Sequence, residues 1–253
     1  MTLITVQSAS AACLDSTFTV TASPYTPAAA GAINEHIRGC LDQTITVRLK
    51  YTGGDTLKII GDILVTNRTG KFTNMFGVGL GDSVLTLVEN DITKPRLLTV
   101  DAGNWTTLTD LGFARKAASP NSIATVLISA DSSQIKGCHF WRLDNSSTGT
   151  EPLLDIAADS VLVERCLFRT PPDGVGRAIA IRTSGSANRV EIRSSVFYST
   201  GLQLAGTGAV QVIANTFAGT RDKWEAIIVG TDVLTPEKNV GIQHNLFAHK
   251  ADT

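Results

Sequence analysis

The sequence has almost no net charge, and this lack constrains its partners. Over 253 residues the formal net charge is −1, so the chain lacks the basic excess with which proteins bind duplex DNA or an anionic membrane surface. It also lacks any apolar run near the roughly 18 residues that a membrane-spanning helix needs. We therefore expect no nucleic-acid partner and no membrane span.

Cysteine is scarce and is not spaced for metal binding. The four cysteines form no Cys-x-x-Cys unit, which argues against a zinc ribbon, and they are too few for a disulfide-built scaffold. Cys13 and Cys40 flank the early segment. We expect them either to form a disulfide, in an oxidising compartment, or to remain thiols. Cys138 and Cys166 belong to the repeat described below and are predicted to be buried thiols.

The first residues lack the positive charge of a secretion signal. The stretch "MTLITVQSASAACLDS" has no basic residue before its short apolar run, and a signal peptide carries one there. Residues 1–27 are rich in Thr, Ser, Ala and Pro. The sequence predicts that they form an extended arm, which lies along the rest of the molecule or reaches a partner.

The sequence does contain an internal repeat, in which an aliphatic residue stands five positions before a phenylalanine. The repeat occurs six times and has the form Val-x-Ile-x-x-Cys/Asn-x-Phe, as in "SQIKGCHFWRL" and "GAVQVIANTFAGT". The six aliphatic and aromatic pairs are Leu108 and Phe113, Ile135 and Phe140, Val163 and Phe168, Ile192 and Phe197, Val212 and Phe217, and Ile242 and Phe247. Two residues before each Phe stand Leu111, Cys138, Cys166, Ser195, Asn215 and Asn245.

The spacing within the repeat predicts two strands joined by a bend. Marked residues two apart follow the period of a strand, and the single step of three reverses the parity once. A further strand precedes each later repeat, within 124–130, 152–158, 177–183, 202–206 and 225–231, and Gly, Ser, Thr, Asp and Pro fill the connections. No helical period appears in this half. The sequence therefore predicts a solenoid of parallel strands, with coils about 4.8 Å apart.

This repeat resembles the coil of the right-handed parallel β-helix, the pectin-lyase-like superfamily. The resemblance implies interior stacks of like residues, with Asn215 and Asn245 in an asparagine ladder that Cys138, Cys166 and Ser195 continue. "AAGAINEHIRGCLDQTITVRLKYTGG" resembles the capping helix and first strand of such proteins. We expect an all-β solenoid over residues 28–253, with a cap helix over about 29–39 and coils over about 44–250. In the cap helix, one side carries Ala32, Ile33 and Ile37, and the other carries Asn34, Glu35 and Arg38.

The C-terminal end of the solenoid has no recognisable cap in the sequence. The chain continues for only six residues after Phe247, and an open coil exposes apolar interior and strand edges. We expect either a longer protein or an end covered by another chain. Heterologous stacking of copies through this end would give open filaments.

Aromatic and basic residues follow several of the phenylalanines. They are Trp141, Arg142, Arg169, Tyr198, Arg221, Lys223 and Trp224. Along one edge they would form a strip that stacks on sugar rings and holds uronate or sulfate groups. The alternative is that these aromatics pack over the edge of the coil and shield it.

Two sets of charged residues follow or lie on neighbouring strands. Asp131 and Asp159 stand at equal offsets after their strands and should be neighbours on successive coils. They predict either a calcium site or an acid and base pair. The alternative is that each aspartate only ends its strand and begins a turn. Asp155 and Arg182 lie on neighbouring strands. They predict an ion pair between neighbouring coils. This pair either belongs to a lyase site or is an ordinary surface salt bridge.

Two functional hypotheses remain open. The first is a non-catalytic module of the cell or particle surface, or of the extracellular space, for structural assembly, adhesion or glycan binding. The second is a polysaccharide lyase or glycoside hydrolase that acts on an acidic polysaccharide. The acidic clusters that such hydrolases need are not visible, and the resemblance carries no catalytic residue over.

Overall fold

A computed structural model of the protein describes residues 15–29, 32–40, 44–66, 71–90, 93, 96–116, 123–143, 151–171, 178–184, 187–205, 208–219, 226–229 and 239–249. Within them the chain forms one short helix, one 3₁₀ turn (Leu80–Asp82) and 24 strands. The helix α1 is Ile33–Gly39. The strands are β1 (Asp15–Val20), β2 (Ile45–Tyr51), β3 (Thr56–Ile59), β4 (Ile63–Val65), β5 (Thr73–Val78), β6 (Leu85–Glu89), β7 (Leu98–Val100), β8 (Thr106–Thr109), β9 (Leu111–Arg115), β10 (Val126–Ile128), β11 (Gln134–Lys136), β12 (His139–Arg142), β13 (Leu154–Ile156), β14 (Leu162–Glu164), β15 (Leu167–Arg169), β16 (Ile179–Thr183), β17 (Val190–Arg193), β18 (Val196–Tyr198), β19 (Gly201–Leu204), β20 (Val210–Ile213), β21 (Thr216–Gly219), β22 (Ile227–Val229), β23 (Val240–Gln243) and β24 (Leu246–His249).

The strands form three parallel sheets, because every third strand along the coil pairs with the corresponding strand of the next coil. Sheet A has the order β1-β2-β5-β8-β11-β14-β17-β20-β23, sheet B the order β3-β6-β9-β12-β15-β18-β21-β24, and sheet C the order β4-β7-β10-β13-β16-β19-β22. The predicted all-β solenoid is therefore confirmed. Residues 15–20, which belong to the predicted N-terminal arm, form the edge strand β1 of sheet A.

The repeat's phenylalanines form a stack along the interior. Phe140, Phe168, Phe197 and Phe217 lie in register on successive strands of sheet B, and their ring centroids are 4.7 to 4.9 Å apart. All four are fully buried. Offset aromatic pairs at these separations stabilise the fold beyond their buried area.

The bend between sheets A and B is a short turn in which the same backbone conformation recurs. The residue before each interior ladder position has a positive φ, between 50° and 61°. These residues are Asp110, Gly137, Arg165, Ser194, Ala214 and His244. This left-handed conformation reverses the side-chain parity, which explains the three-residue step in the sequence pattern.

The ladder position after the bend is held by hydrogen bonds between coils, as the resemblance implied. Asn215 Oδ1 accepts from Ser195 N at 2.9 Å, and Asn215 Nδ2 donates to the Ile192 carbonyl at 2.8 Å. Asn245 repeats the first contact on Asn215 N at 2.8 Å. At the bend these backbone N–H groups are buried and have no strand carbonyl as acceptor, so the side-chain oxygens accept their hydrogen bonds instead.

The N-terminal segment covers the first coil on all three sheets. The strand β1 pairs with β2, and Tyr25 exchanges backbone hydrogen bonds with β3, donating to Lys58 O at 2.8 Å and accepting from Ile60 N at 2.9 Å. The side-chain amide of Asn34 binds the backbone at β4. Its Nδ2 donates to Asp62 O at 3.0 Å, and its Oδ1 accepts from Leu64 N at 2.9 Å.

The helix differs from its prediction in length and in one face. It begins at Ile33 rather than near residue 29, and Asn34, predicted on the polar side, is 1% exposed. Asn34 is buried because its amide substitutes for the missing strand neighbour of β4. No helix among the residues described above is long and apolar enough to span a bilayer.

Candidate functional site

The outer face of sheet B brings three of the predicted site residues together. Trp141, Arg169 and Tyr198 occupy one column on β12, β15 and β18, each directly in register with the next. They point outward because they alternate with the buried phenylalanines of the same strands. The Arg169 guanidinium lies 5.8 Å from the centre of the Tyr198 ring, a cation–π contact that orients the arginine.

Beside this column lies an open groove of about 540 Å³. Trp141 and Arg169 form one wall, and Ala114 and Val88 continue the same column toward the N-terminal coils. Gly112, two residues before Ala114, leaves the adjacent outward position without a side chain, and a Cβ there would collide with Thr86. The side chains of Thr86, Val88 and Ala114, all smaller than the indole of Trp141, thus form the floor of the groove.

Arg142 also borders the groove, but it is only 4% exposed. It stands two residues after Phe140 and therefore turns toward the interior. Its Nη2 donates to Glu151 O at 2.8 Å, and its Nη1 lies 3.5 Å from Glu151 Oε2. The structure therefore separates Arg142 from the exposed strip and makes it half of a buried ion pair. Arg115, the register partner of Arg142 on β9, is buried as well.

Arg182 lies away from the groove, on the outer face of sheet C. It is in register with Asp155 and forms the predicted cross-coil ion pair with it. Ser184 Oγ donates to the other Asp155 oxygen at 2.9 Å. The remaining members of the predicted strip, Arg221, Lys223 and Trp224, lie outside the described residues.

The two aspartates predicted as a metal or acid and base pair are neighbours on successive coils. Asp159 N donates to Asp131 Oδ1 at 2.8 Å, and Arg189 binds the Asp159 carboxylate through two nitrogens, with Nε to Oδ1 at 3.0 Å. The Arg189 hydrogen bond lowers the pKa of Asp159 below its usual value. Calcium takes six to eight oxygen ligands, and Arg189 competes with any cation here. Within the described ranges no three His, Cys, Asp or Glu side chains are grouped to hold a metal ion.

The cysteines fall into two environments. Cys40 is disulfide-bonded, but its predicted partner Cys13 lies outside the described residues, so that pairing stays a prediction. Cys138 and Cys166 are buried free thiols in the ladder. Burial raises the pKa of Cys138 well above its usual value, and the neighbouring Cys166 raises it further. Thiols of this kind act as small apolar residues rather than nucleophiles.

His139 borders the same outer face as Trp141, and the two rings meet edge to face with centroids 5.4 Å apart. Burial lowers the pKa of His139 below its ordinary value, and the carboxylate of Asp110 opposes that shift. The neutral imidazole is therefore the favoured form beside the groove.

Sequence reasoning missed the groove's floor, although the signal was present. Thr86 and Val88 come from β6, which has Leu87 in place of the phenylalanine, and Gly112 and Ala114 come from β9, the strand of the first repeat. Gly112 and Ala114 flank Phe113, the first phenylalanine of the repeat, and extending its register back by one coil, to Leu87, places Thr86 and Val88 on the outer face of sheet B as well.

The fold and this outer face define the class of the molecule as a parallel β-solenoid with three sheets. No protein-family model matches the chain, and comparison with curated proteins and with solved structures yields no match either. The class therefore rests on strand order and register.

Proposed function

We propose that this protein is a non-catalytic solenoid module that binds a glycan in the groove on sheet B. The observation that carries the proposal is the pairing of an outward Trp141 with Arg169 over a floor of small residues in a groove of about 540 Å³. Small-molecule sites typically measure about 300–1,000 Å³. The groove is thus large enough for a sugar unit.

The chemistry of the wall favours an acidic sugar. The apolar face of a pyranose ring stacks on an aromatic face such as Trp141. A guanidinium binds carboxylate or sulfate with two parallel hydrogen bonds, and Arg169 is exposed and backed by the Tyr198 ring. The ligand class that uses both groups is a uronate-containing or sulfated glycan.

The absence of acid groups along the groove favours binding over hydrolysis. Glycoside hydrolysis needs two carboxyl groups about 5 to 10 Å apart, whereas the described residues that line the groove include no Asp or Glu. Glu151 is buried and paired with Arg142. A lyase or hydrolase remains the alternative that the experiment must distinguish.

Membership of the pectin-lyase-like superfamily is part of the same proposal. Its support is the coil of three parallel sheets with an asparagine ladder at one bend. The proposed ligand implies that the protein is located at the cell or particle surface or in the extracellular space, since acidic polysaccharides are found there.

The test is calorimetric titration of the protein with uronate and sulfated oligosaccharides and with their neutral counterparts. We expect binding of the acidic members, at least 10-fold weaker for Trp141→Ala and for Arg169→Gln. The control is Arg193→Gln, because Arg193 is a partly exposed arginine on sheet A, ion-paired with Glu164 and Glu191 and outside the lining of the groove.

Product analysis of the same mixtures separates the two hypotheses. Release of new reducing ends or of unsaturated uronate would make the enzyme hypothesis the better one. No binding of any acidic glycan, or binding that Trp141→Ala leaves unchanged, would show that the groove is not the site.

A further inference from the structure

A second cation lies at the other end of the groove on sheet B. Lys58 on β3 is exposed and points outward beside Thr56, which lines the groove. Lys58 begins the column to which Trp141 belongs. Its register partners on the following coils are, in order, Val88, Ala114, Trp141 and Arg169. Four coil spacings of about 4.8 Å therefore place Lys58 and Arg169 about 19 Å apart along the solenoid axis.

A third cation borders the groove between these two. Lys116 directly follows β9 and is exposed. It comes after the buried Arg115, so the alternation of the strand turns its side chain to the same outer face as Ala114. Its neighbour on the next coil is Leu143, which lines the groove. Lys58, Lys116 and Arg169 thus lie along one groove, on three different coils.

The three cations of the groove are not neutralised by carboxylates. Among the described residues, no Asp or Glu forms an ion pair with Lys58, Lys116 or Arg169. The arginines that reach solvent on or beside sheets A and C differ, because each of them pairs with an aspartate or glutamate of the preceding coil. They are Arg182, Arg189 and Arg193.

The described residues around the groove therefore carry a net positive charge. On the inner side of the same strands the buried charges cancel, since two arginines face two glutamates. They are Arg115, Arg142, Glu89 and Glu151. Asp55 precedes β3, and its carboxylate accepts hydrogen bonds from Leu80 N at 2.9 Å and from Ser83 Oγ. One carboxylate at this edge leaves the three cations in excess.

We propose that the groove binds an extended acidic oligosaccharide along the solenoid axis, with Lys58 and Arg169 holding acid groups of different sugar units. This inference rests on the glycan-binding function proposed above and adds the direction of the ligand, its minimum length and the number of its acid groups. Trp141 stacks on a sugar ring between the two cations, and Lys116 meets a further acid group from the side. A single uronate unit at Arg169 does not reach Lys58.

The experiment compares a disaccharide with a hexasaccharide in each of two series, oligogalacturonates and heparin fragments, by calorimetric titration of the full chain. The ionic strength is about 0.01 M, where the Debye length of about 30 Å exceeds the length of the column. In the series that binds, the hexasaccharide should bind at least 5-fold more tightly than the disaccharide. An exposed ion contact contributes a factor of up to about 5.

Lysine variants assign this gain to the far end of the groove. Lys58→Gln should weaken the hexasaccharide by about 5-fold and leave the disaccharide unchanged, because Trp141 and Arg169 still hold the short ligand. Lys58→Arg should keep the affinity for both. The matched control is Lys50→Gln, which should change neither affinity, because Lys50 is likewise an exposed outward lysine but lies on β2 of sheet A.

Three results would overturn the inference. They are equal affinity for the two lengths, a Lys58→Gln variant that binds the hexasaccharide as the unchanged protein does, and a single-stranded DNA hexamer that binds as tightly as the hexasaccharide. The last result would show that the groove recognises charge alone. With either of the first two, disaccharide binding that still depends on Trp141 leaves the proposed glycan-binding function intact. No binding of any acidic glycan overturns both.

Discussion

Replacement of Phe168 by alanine should be among the most destabilising single changes in the molecule. Phe168 is fully buried and lies between two ring neighbours, Phe140 at 4.7 Å and Phe197 at 4.9 Å. A buried Phe→Ala substitution costs about 3–5 kcal/mol, and each lost aromatic pair adds up to about 1 kcal/mol. We therefore expect a loss of about 4–5 kcal/mol in the free energy of unfolding.

The matched comparison is Phe247→Ala, at the same position of the last described coil. Phe247 is 50% exposed and stacks on Phe217, so its truncation removes about half as much buried area and should cost about 2 kcal/mol. The same change of residue thus has two different predicted costs, set only by the place in the stack.

Urea denaturation followed by far-ultraviolet circular dichroism measures both free energies. Because each coil contacts only its neighbours, we expect the free energy of unfolding of Phe247→Ala to exceed that of Phe168→Ala by about 2–3 kcal/mol. Equal losses for the two variants, or a loss below about 1.5 kcal/mol for Phe168→Ala, would refute the idea that the ring stack is a main source of cohesion between coils.

Three further predictions address other parts of the coil. Ala214→Gly should stabilise the protein by about 0.5–1 kcal/mol in urea denaturation, because Ala214 has a φ of +54° that glycine adopts without strain. Gly137→Ala, at the equivalent bend, should destabilise the protein. A loss of stability in both variants would contradict this account. Glu151→Ala should cost about 3 kcal/mol, because it leaves the Arg142 guanidinium buried without its carboxylate, whereas Glu151→Gln should cost less, and equal melting temperatures for the two variants would argue against the ion pair. Since the pKa of His139 is lowered in the fold, the unfolded chain binds a proton more readily, so stability should fall as pH drops below about 6.5; in His139→Gln this part of the pH dependence should be absent from denaturation curves between pH 5 and 8.

The repeat predicted the coil well because its signal comes from side-chain parity and stacking. Residues five apart, such as Ile135 and Phe140, face the inside wherever a strand, a bend and a second strand follow one another. The register continues through all six repeats, and both residues are buried in the first five. Long connections do not disturb this signal, since each repeat pairs with its neighbour independently of them.

The sequence was less informative where a polar residue replaces an apolar one inside. Arg142 was assigned to the surface by its charge, although its spacing of two from Phe140 predicts the interior. The polarity of its amide likewise places Asn34 on the polar side of the helix, although the structure buries it. In both cases the deciding factor is a partner distant in sequence, Glu151 or the backbone of β4, and a local pattern does not show which distant groups need a partner.

The constancy of the bend has a consequence for how the length of this chain can vary. Between Ile135 and Phe140, and in each of the other repeats, the separation is always five residues, whereas successive phenylalanines are 20 to 30 residues apart. One corner of every coil therefore excludes insertions, because a single added residue would break the ladder and turn the following strand inside out. The connections elsewhere absorb all the variation. New loops, tags or binding segments can be introduced at those corners, while the corner between sheets A and B fixes the alignment of the coils.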